Sequence, residues 1–512
     1  MRKSASLSRR AMLAAGAALA AGPAFGQEPH LRLRTEGSER QLPSRLLGFN
    51  TPANYAIPFE DPAFPGAVQK LAPHYLRFPG GTVANYYNWR TGQLDVADIP
   101  NGSIYRKFLV QQAVPNSRRL HPKGVFWDDF HQMATAADTD VIMLPNLETS
   151  SLENESARFA DMARKGTVPR NIEMGNEFYL AALMDPLTLS IFPDYATTMA
   201  RTKQYLDAIR PHLRKDAKVS VQAASTRLHH PHHADTPRSV HERKWDDALR
   251  PEPWFDAVTS HLYPTLSRSA GVEATKHVSE RVDQIYPAMI ARADEGYERS
   301  LADTAARMPG KEIWVTEWGG FEPENTFSGT KVLFDGMWLH QVVRSMLAQL
   351  RRPEVTVSNY HALFARGDLT SIFRPTDGPE RFAPVNAASV LSWFFAASRG
   401  PDAHYQRVLV EGARRISASG TLAGEGFRDT EAAFFRQGRR RTLFVHNAWN
   451  TIRTVDLSGL LAPNVPRQAE IIQTPDLLVH YHDSAPQPQS LSVDGVVLQS
   501  PAYSLTRITW SA

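Results

Sequence analysis

The sequence predicts an α/β protein: a (β/α)8 TIM barrel with a C-terminal β-sandwich that the N-terminal strand also joins. Three observations carry this. Between Leu46 and about Leu391, eight short apolar strands alternate with longer amphipathic stretches, the pattern of parallel strands with helical crossovers. No glycine-rich phosphate loop follows the first strand, which argues against a doubly wound open sheet. Past about residue 400 the helical periodicity gives way to short alternating strands, the texture of a small sandwich. At 512 residues the chain is also too long for one ordinary core.

Taken in order, residues 1–26 read as a twin-arginine signal peptide. They have a basic start, the pair Arg9 and Arg10, an apolar run from Ala11 to Ala21 and a small-residue processing site before Gln27. That run is well short of the roughly 20 residues a spanning helix needs. A periplasmic or secreted protein with no membrane segment after cleavage is expected. HLRLRTEG, inside residues 27–44, is strand-like and is expected to pair into the sandwich, tying the two ends of the chain together.

The barrel is expected over residues 45–398. Its strand candidates are RLLGFN (45–50), HYLRFPGG (74–81), DVIMLPNL (140–147), RNIEMGNE (170–177), KVSVQAAS (218–225), FDAVTSHLY (255–263), KEIWVTEWG (311–319) and EVTVSNYH (354–361). Between them, Phe126, Phe130 and Met133 recur at helical spacing, and LENESARFADMARKG has an acidic start and a basic end. DYATTMARTKQYLDAIR and VLFDGMWLHQVVRSMLAQL read as further helices. The sandwich, residues 399–512, is read from EAAFFRQ, RTLFVHNA, TIRTVDL, AEIIQTP, SLSVDGVVL with its Asp494-Gly495 hairpin signal, and AYSLTRITW.

The formal net charge of +4 includes four basic residues of the leader (Arg2, Lys3, Arg9, Arg10), so the remaining chain is close to neutral. This offers no footprint for nucleic acid. The absence of cysteine excludes disulfides and thiolate metal sites.

In a barrel of this kind functional side chains sit at the C-terminal ends of strands. Glu177, in EMGNE, ends strand four and Glu317, in TEWGG, ends strand seven, across the mouth. Two opposed carboxyls are what glycoside hydrolysis requires, one to protonate the leaving oxygen and one to attack or to activate water. A carboxyl kept partly from water can also hold its proton near neutrality. Asn176 would bind the hydroxyl next to the reacting carbon. Arg77, in LRFPGG, would hold the attacking carboxylate ionised, or serve as a structural barrel ion pair. His261 and Tyr263 can bridge the two acids, although a satisfied strand-end histidine is the bland reading of His261. Trp318 offers a wall for a sugar ring, and Asn146 and Trp89 complete the substrate-binding set. Glu173 reads as a buried support, and Glu148, Glu322 and Glu324 as loop acids. The run LHHPHHADTPRSVHERKWDD clusters His229, His230, His232, His233 and His241. Split by Pro231, these tandem histidines are not read as the i, i+4 face of a zinc helix but as a long polar loop, with no metal assigned.

These motifs resemble those of glycoside hydrolase clan A. LRFPGG followed by NYYNW is similar to the strand-two segment of family 51 α-L-arabinofuranosidases, and EMGNE to their strand-four acid/base motif. VSNYHALF, with Asn359, Tyr360 and His361, is more similar to the β-glucuronidase and heparanase enzymes of family 79. The resemblance implies a retaining double displacement with Glu177 as acid/base and Glu317 as nucleophile, a carbohydrate substrate, and no metal or organic cofactor. In family 51 an acid usually precedes the nucleophile, whereas Thr316 stands there in this chain. The expected protein is an exported glycosidase, with an arabinofuranoside as first substrate and a uronide or an endo-acting β-glycanase function as alternatives. A catalytically inactive carbohydrate-binding barrel and a metal-dependent hydrolase built on the histidine cluster are the rivals from other classes.

Overall fold

Eight parallel strands close into a barrel in the computed structural model. It describes residues 30–52, 59, 61–97, 99, 109–179, 190–224, 237–263, 282–319, 335–364, 371–376, 381–418, 425–479, 481 and 484–512. The signal-peptide reading of residues 1–26, His229 to His233, Glu322 and Glu324 lie outside these residues. Numbered one to eight in chain order, the barrel strands are Leu47–Asn50, Tyr75–Phe78, Asp140–Met143, Asn171–Glu173, Lys218–Gln222, Ala257–Leu262, Glu312–Trp318 and Val355–His361. Each falls inside the apolar run that predicts it, and strand eight pairs with strands one and seven to close the ring.

The register lines up the residues that matter. Asn50 of strand one stands beside Arg77 of strand two and His361 of strand eight, while Glu317 of strand seven stands beside His261 of strand six. The helices that cover the barrel carry the signals their sequences advertise. Leu152–Lys165 starts at Ser151, whose hydroxyl accepts from the Asn154 amide at 3.2 Å, and stops at Gly166 with φ 71°. Trp127–Ala136 buries Trp127, Phe130 and Met133, and Phe130 stacks on Phe78 of strand two at 4.4 Å. The end of the histidine-rich run departs from the polar loop expected of it, because Pro237–Leu249 is helical. Proline at the first helical position suits a helix start.

The C-terminal domain is built on a nine-stranded mixed sheet, with Arg415–Ser417 and Gly426–Arg428 as a separate two-stranded ribbon. As expected, the N-terminal strand Leu31–Gln41 joins the large sheet, antiparallel to Ala403–Glu411 and parallel to Arg453–Asp456. Leu31 and Leu33 point inward and meet residues from both edges of the sheet, such as Leu498 and Ala469, in one apolar core. The Asp494-Gly495 turn is present, with Gly495 at φ 53°, but its arms share just the Asp494–Val497 bridge. Gln489–Ser490 pairs instead with Arg467–Gln473, and Val497–Ser500 with Arg453–Asp456, so each arm extends an opposite edge.

Helix Asp335–Leu350 joins the two domains. From Met337 to Leu350 every side chain is buried, the condition of a helix enclosed between two layers. Its polar residues face partners across the seam. His340 Nδ1 lies 2.9 Å from His446 Nε2, and Arg344 donates to the Arg428 carbonyl at 2.6 Å and to Asp294 at 3.1 Å.

Three buried histidines make this architecture sensitive to acid. Burial, with neighbouring arginine charge, holds His340 down to about 3 and His446 well below its ordinary value. Burial likewise holds His74 down to about 3, where its Nδ1 accepts the amides of Leu46 and Leu47 at 2.8 and 3.1 Å. In the unfolded chain these rings take up protons as pH falls through about 6.5, whereas in the folded state they resist until far lower pH. Between those values the unfolded state binds more protons, so stability present above about pH 6.5 is lost as pH drops, by up to about 1.4 kcal/mol per unit for each ring. Urea titration is therefore expected to give a lower midpoint at pH 5 than at pH 7; equal midpoints would contradict this account.

Candidate active site

Strand four ends at Glu173, earlier than its apolar run implies, because the backbone then leaves the extended region. Gly175 has φ 82°, and a Cβ there would stand 2.0 Å from the Phe178 ring, so the position requires glycine. Glu177 itself adopts φ 50°, a left-handed conformation that costs a side-chain-bearing residue about 1–3 kcal/mol. Neighbours hold this turn. Gln222, at the end of strand five, donates to the Gly175 carbonyl at 2.7 Å and accepts from the Phe178 amide at 3.0 Å. Asn85 clasps the Asn176 backbone from the other side, accepting its amide at 3.1 Å and donating to its carbonyl at 2.9 Å.

Arg77 forms the floor of the site and is fully buried. Its Nε and Nη2 donate to the two oxygens of Glu173, each at 2.7 Å. Nη1 donates to Glu317 Oε1 at 2.6 Å and to Asn50 Oδ1 at 3.3 Å, and Nη2 reaches Asn176 Oδ1 at 2.8 Å. All five N–H groups of the guanidinium are thereby used. Because Arg77 takes the amide oxygens of Asn50 and Asn176, it also fixes which way both amides face. Asn50 Nδ2 then donates to Glu317 Oε1 at 3.1 Å and sits 2.6 Å from His361 Nδ1, which must accept. Asn176 offers its amide nitrogen away from the guanidinium.

Glu317 is held by donors on both oxygens, since the Tyr263 hydroxyl donates to Oε2 at 2.8 Å. Burial would raise its pKa, but the charges of His261 and Arg77 outweigh burial and take it down to about 2. Glu177 is less enclosed, with 19% of its side chain exposed, and its Oε1 lies 2.9 Å from His261 Nδ1. His261 Nε2 lies 3.1 Å from the Thr316 hydroxyl, which donates to Glu173 Oε1 at 3.1 Å. Burial works against charge on His261, yet the surrounding carboxylates of Glu317, Glu173 and Glu177 prevail and push it up to about 9.

Six of the residues singled out in the sequence thus meet in one cluster: Glu177, Glu317, Arg77, Asn176, His261 and Tyr263. Three do not. Trp318 is 1% exposed and packs edge-on against Tyr360, on the side away from Glu317. Asn146 spends its amide on structure, donating to the Thr149 hydroxyl in its own loop and to the Tyr87 carbonyl in the segment after strand two, and accepting the amides of Glu148 and Thr149. Trp89 donates to Asn154 and carries the Arg90 guanidinium over its ring at 4.5 Å. Glu173 is the buried support expected of it, and Glu148 is a buried acceptor for the Tyr86 hydroxyl at 3.1 Å. Asn50, Thr316 and His361 were overlooked. Each lies at the C-terminal end of a barrel strand, and position alone could have found them.

Glu177, His261 and Glu317 also bring one donor atom each within 4.8 Å of one another, a spacing that could serve a metal ion. The set suits a proton better than a cation: Glu317 is paired with Arg77 at 2.6 Å, and a metal ion's positive charge would lie close to that guanidinium.

No protein-family model matches the chain, and no curated protein sequence does. Among solved structures it is similar to a family 51 α-L-arabinofuranosidase from Bifidobacterium longum, at 15% identity over 94% of this chain and 99% of that one, with a TM-score of 0.68. The family 51 arabinofuranosidase from Xanthomonas axonopodis pv. citri gives 13% identity over 94% and 100% of the two chains and a TM-score of 0.66. A family 44 xyloglucanase from Paenibacillus polymyxa gives 11% identity over 94% and 99%, with a TM-score of 0.57. At such identities the likeness establishes a shared fold, and the resemblance to family 51 read from the motifs holds at that level.

Replacing Arg77 tests the floor directly. Arg77→Met is expected to lower folding stability by about 3–5 kcal/mol, because it strands the Glu173 carboxylate without a counter-charge. Adding Glu173→Met should restore much of that loss. Urea unfolding of the single and double variants measures both, and a double variant no more stable than the single would show that the pair is not the source.

Proposed function

We propose that this chain is a retaining glycoside hydrolase in which Glu317 is the nucleophile and Glu177 the acid/base. One observation carries the reading: carboxylate oxygens of Glu177 and Glu317 lie within 4.8 Å, in unlike surroundings. Retaining glycosidases hold their carboxyls roughly 5–5.5 Å apart, whereas inverting ones leave room for a water at roughly 6.5–9.5 Å. The resemblance in motifs and the likeness in fold support the same class.

In the first step Glu317 attacks the anomeric carbon and the bond to the leaving oxygen breaks, while Glu177 gives that oxygen a proton. The product is a glycosyl ester on Glu317. In the second, Glu177 takes a proton from water, the water oxygen bonds to the anomeric carbon, and the ester bond breaks to free Glu317. Asn176 is placed to donate to the neighbouring sugar hydroxyl, a contact that strengthens as positive charge builds on the ring.

An uncharged furanoside such as an α-L-arabinofuranoside is our first substrate. A uronide would need a cation for its carboxylate, and Arg77 has no N–H left to give. Export by the twin-arginine route, supported by Arg9, Arg10 and the short apolar run, would place this activity on polysaccharide outside the cytoplasm.

A panel of aryl glycosides spanning α-L-arabinofuranoside, β-D-glucuronide, β-D-xyloside and β-D-glucoside tests the glycone. Glu317→Gln is expected to cut turnover by a factor on the order of 10⁴. Glu177→Gln should form the glycosyl ester from a good leaving group and stall there; azide, which needs no base, should release it as a glycosyl azide of retained configuration. An azide of inverted configuration would overturn the double displacement. Turnover lost to a chelator would favour a metal-dependent hydrolase, and sugar binding without turnover of glycoside or polysaccharide an inactive barrel.

The pH profile has a definite sign. Glu317 stays ionised down to about pH 2, so the nucleophile sets no limit near neutrality. Activity is expected to fall on the alkaline side, as His261, pushed up to about 9, loses its proton beside Glu177. A profile flat through pH 10 would contradict this.

A further inference from the structure

We propose that Thr316 is a positioning residue that decides where the proton of the acid/base pair resides: its hydroxyl, bound between His261 and Glu173, locks an N–H onto His261 Nε2 and so leaves Nδ1 to share one proton with Glu177. This rests on reading Glu177 as the acid/base.

Glu173 takes two N–H groups from Arg77 and is buried with it, so it is a carboxylate and can only accept. The Thr316 hydroxyl, 3.1 Å from Glu173 Oε1, therefore donates to it. Its oxygen then presents only lone pairs to His261 Nε2 at 3.1 Å, and that nitrogen must carry hydrogen. What varies is the other end of the ring. Nδ1 and Glu177 Oε1, 2.9 Å apart, hold either a protonated carboxyl against a bare nitrogen or a carboxylate against an imidazolium. Each arrangement contains one proton that Glu177 can deliver to a leaving group. Removing it would leave the Nδ1 lone pair facing a carboxylate, with no hydrogen between them, so the pair resists deprotonation.

Without the hydroxyl this constraint disappears. The neutral ring could then move its hydrogen to Nδ1 and donate it to ionised Glu177, a stable arrangement with no acid left for catalysis. The next acceptor for Nε2 would be Glu173 Oε1, at 3.9 Å. Every other charged or titratable group facing the ring is common to both cases. Glu317 Oε2 lies 3.8 Å from Nδ1 on strand seven, with Tyr263 and His361 on its far side, and Arg77 acts through Glu173 and Glu317 from strand two.

The test compares the intact protein with Thr316→Val, which keeps the shape and removes the hydroxyl, and with Thr316→Ser, which restores it. The alkaline limb of kcat/KM is expected to move down by about one pH unit in Thr316→Val and to stay in place in Thr316→Ser. A residue that only fills space would lower kcat without moving the limb, and an unmoved limb in a folded Thr316→Val protein would overturn the proposal. Nitrogen chemical shifts of the His261 ring, assigned by difference against His261→Asn, provide a readout that needs no turnover. Hydrogen on Nε2 in the wild type and on Nδ1 in Thr316→Val at high pH is expected; the same tautomer in both would overturn the relay. If the chain hydrolyses no glycoside, these shifts still test the relay, so its failure and that of the glycosidase reading are told apart.

Discussion

The mouth of the barrel depends on one buried cation. Taking a guanidinium out of water is expensive, by several kcal/mol even after relaxation, and it is tolerated only where opposite charge and full hydrogen bonding are supplied. Arg77 has both, from Glu173 beneath the mouth and Glu317 at it. Two carboxylates against one guanidinium leave the floor with one excess negative charge. That excess draws a proton onto His261, a ring that burial alone would have kept neutral, as it does His74 and His340. The contrast among these histidines lies in the partners supplied, since all are buried.

The second domain bears on the site through helix Asp335–Leu350. Strands seven and eight, which carry Glu317 and His361, are flanked by this helix, and Trp338 stacks on Tyr360 of strand eight at 6.3 Å. Gln341 donates to the Gly319 carbonyl, just past Glu317 and Trp318, at 3.2 Å. The other face of the helix meets the C-terminal domain, through His446 of the nine-stranded sheet and the Arg428 carbonyl of a separate two-stranded ribbon. Pairing of the N-terminal strand into that sheet therefore anchors more than the chain end. It helps complete the sheet that backs the helix flanking strand seven.

Much of this was legible in the sequence because the signals are local and strong. Parallel barrel strands are buried on both faces and appear as continuous apolar runs, so all eight could be placed. Acids in such runs are costly to bury, which is why Glu173, Glu177 and Glu317 stood out. What escaped depends on three dimensions. The facing of Trp318 follows from which side Glu317 takes, and the neighbouring residue type does not reveal it. Asn146 looked like a ligand for sugar, but its hydrogen bonds close its own loop and tie it to the segment after strand two. Asn50, Thr316 and His361 are ordinary residues whose importance comes from where the fold places them: Asn50 stands beside Arg77 in the register, Thr316 reaches Glu173 from a break in the register of strand seven, and His361 lies 3.9 Å from Glu317. The arms of the Asp494-Gly495 turn met the rules for a hairpin locally, yet pairing with other strands of the sheet prevailed over pairing with each other.

The left-handed backbone at Glu177 has a geometric reason. In an extended strand, four residues advance about 13 Å, so a carboxyl on Glu177 would stand far above one on Glu173. Here a single imidazole lies near both: His261 Nδ1 is 2.9 Å from Glu177 and Nε2 is 3.9 Å from Glu173. That is possible only if the chain curls back after Glu173, which Gly175 and Glu177 do by taking positive φ in quick succession. Glycine bears the first of these without strain, and the second is strained on the residue whose side chain must reach inward. The motif EMGNE is thus a backbone device as much as a pair of acids. It trades a strained dihedral for a histidine that links the charged floor to the proton at the mouth, and the clasps from Gln222 and Asn85 keep that turn from relaxing.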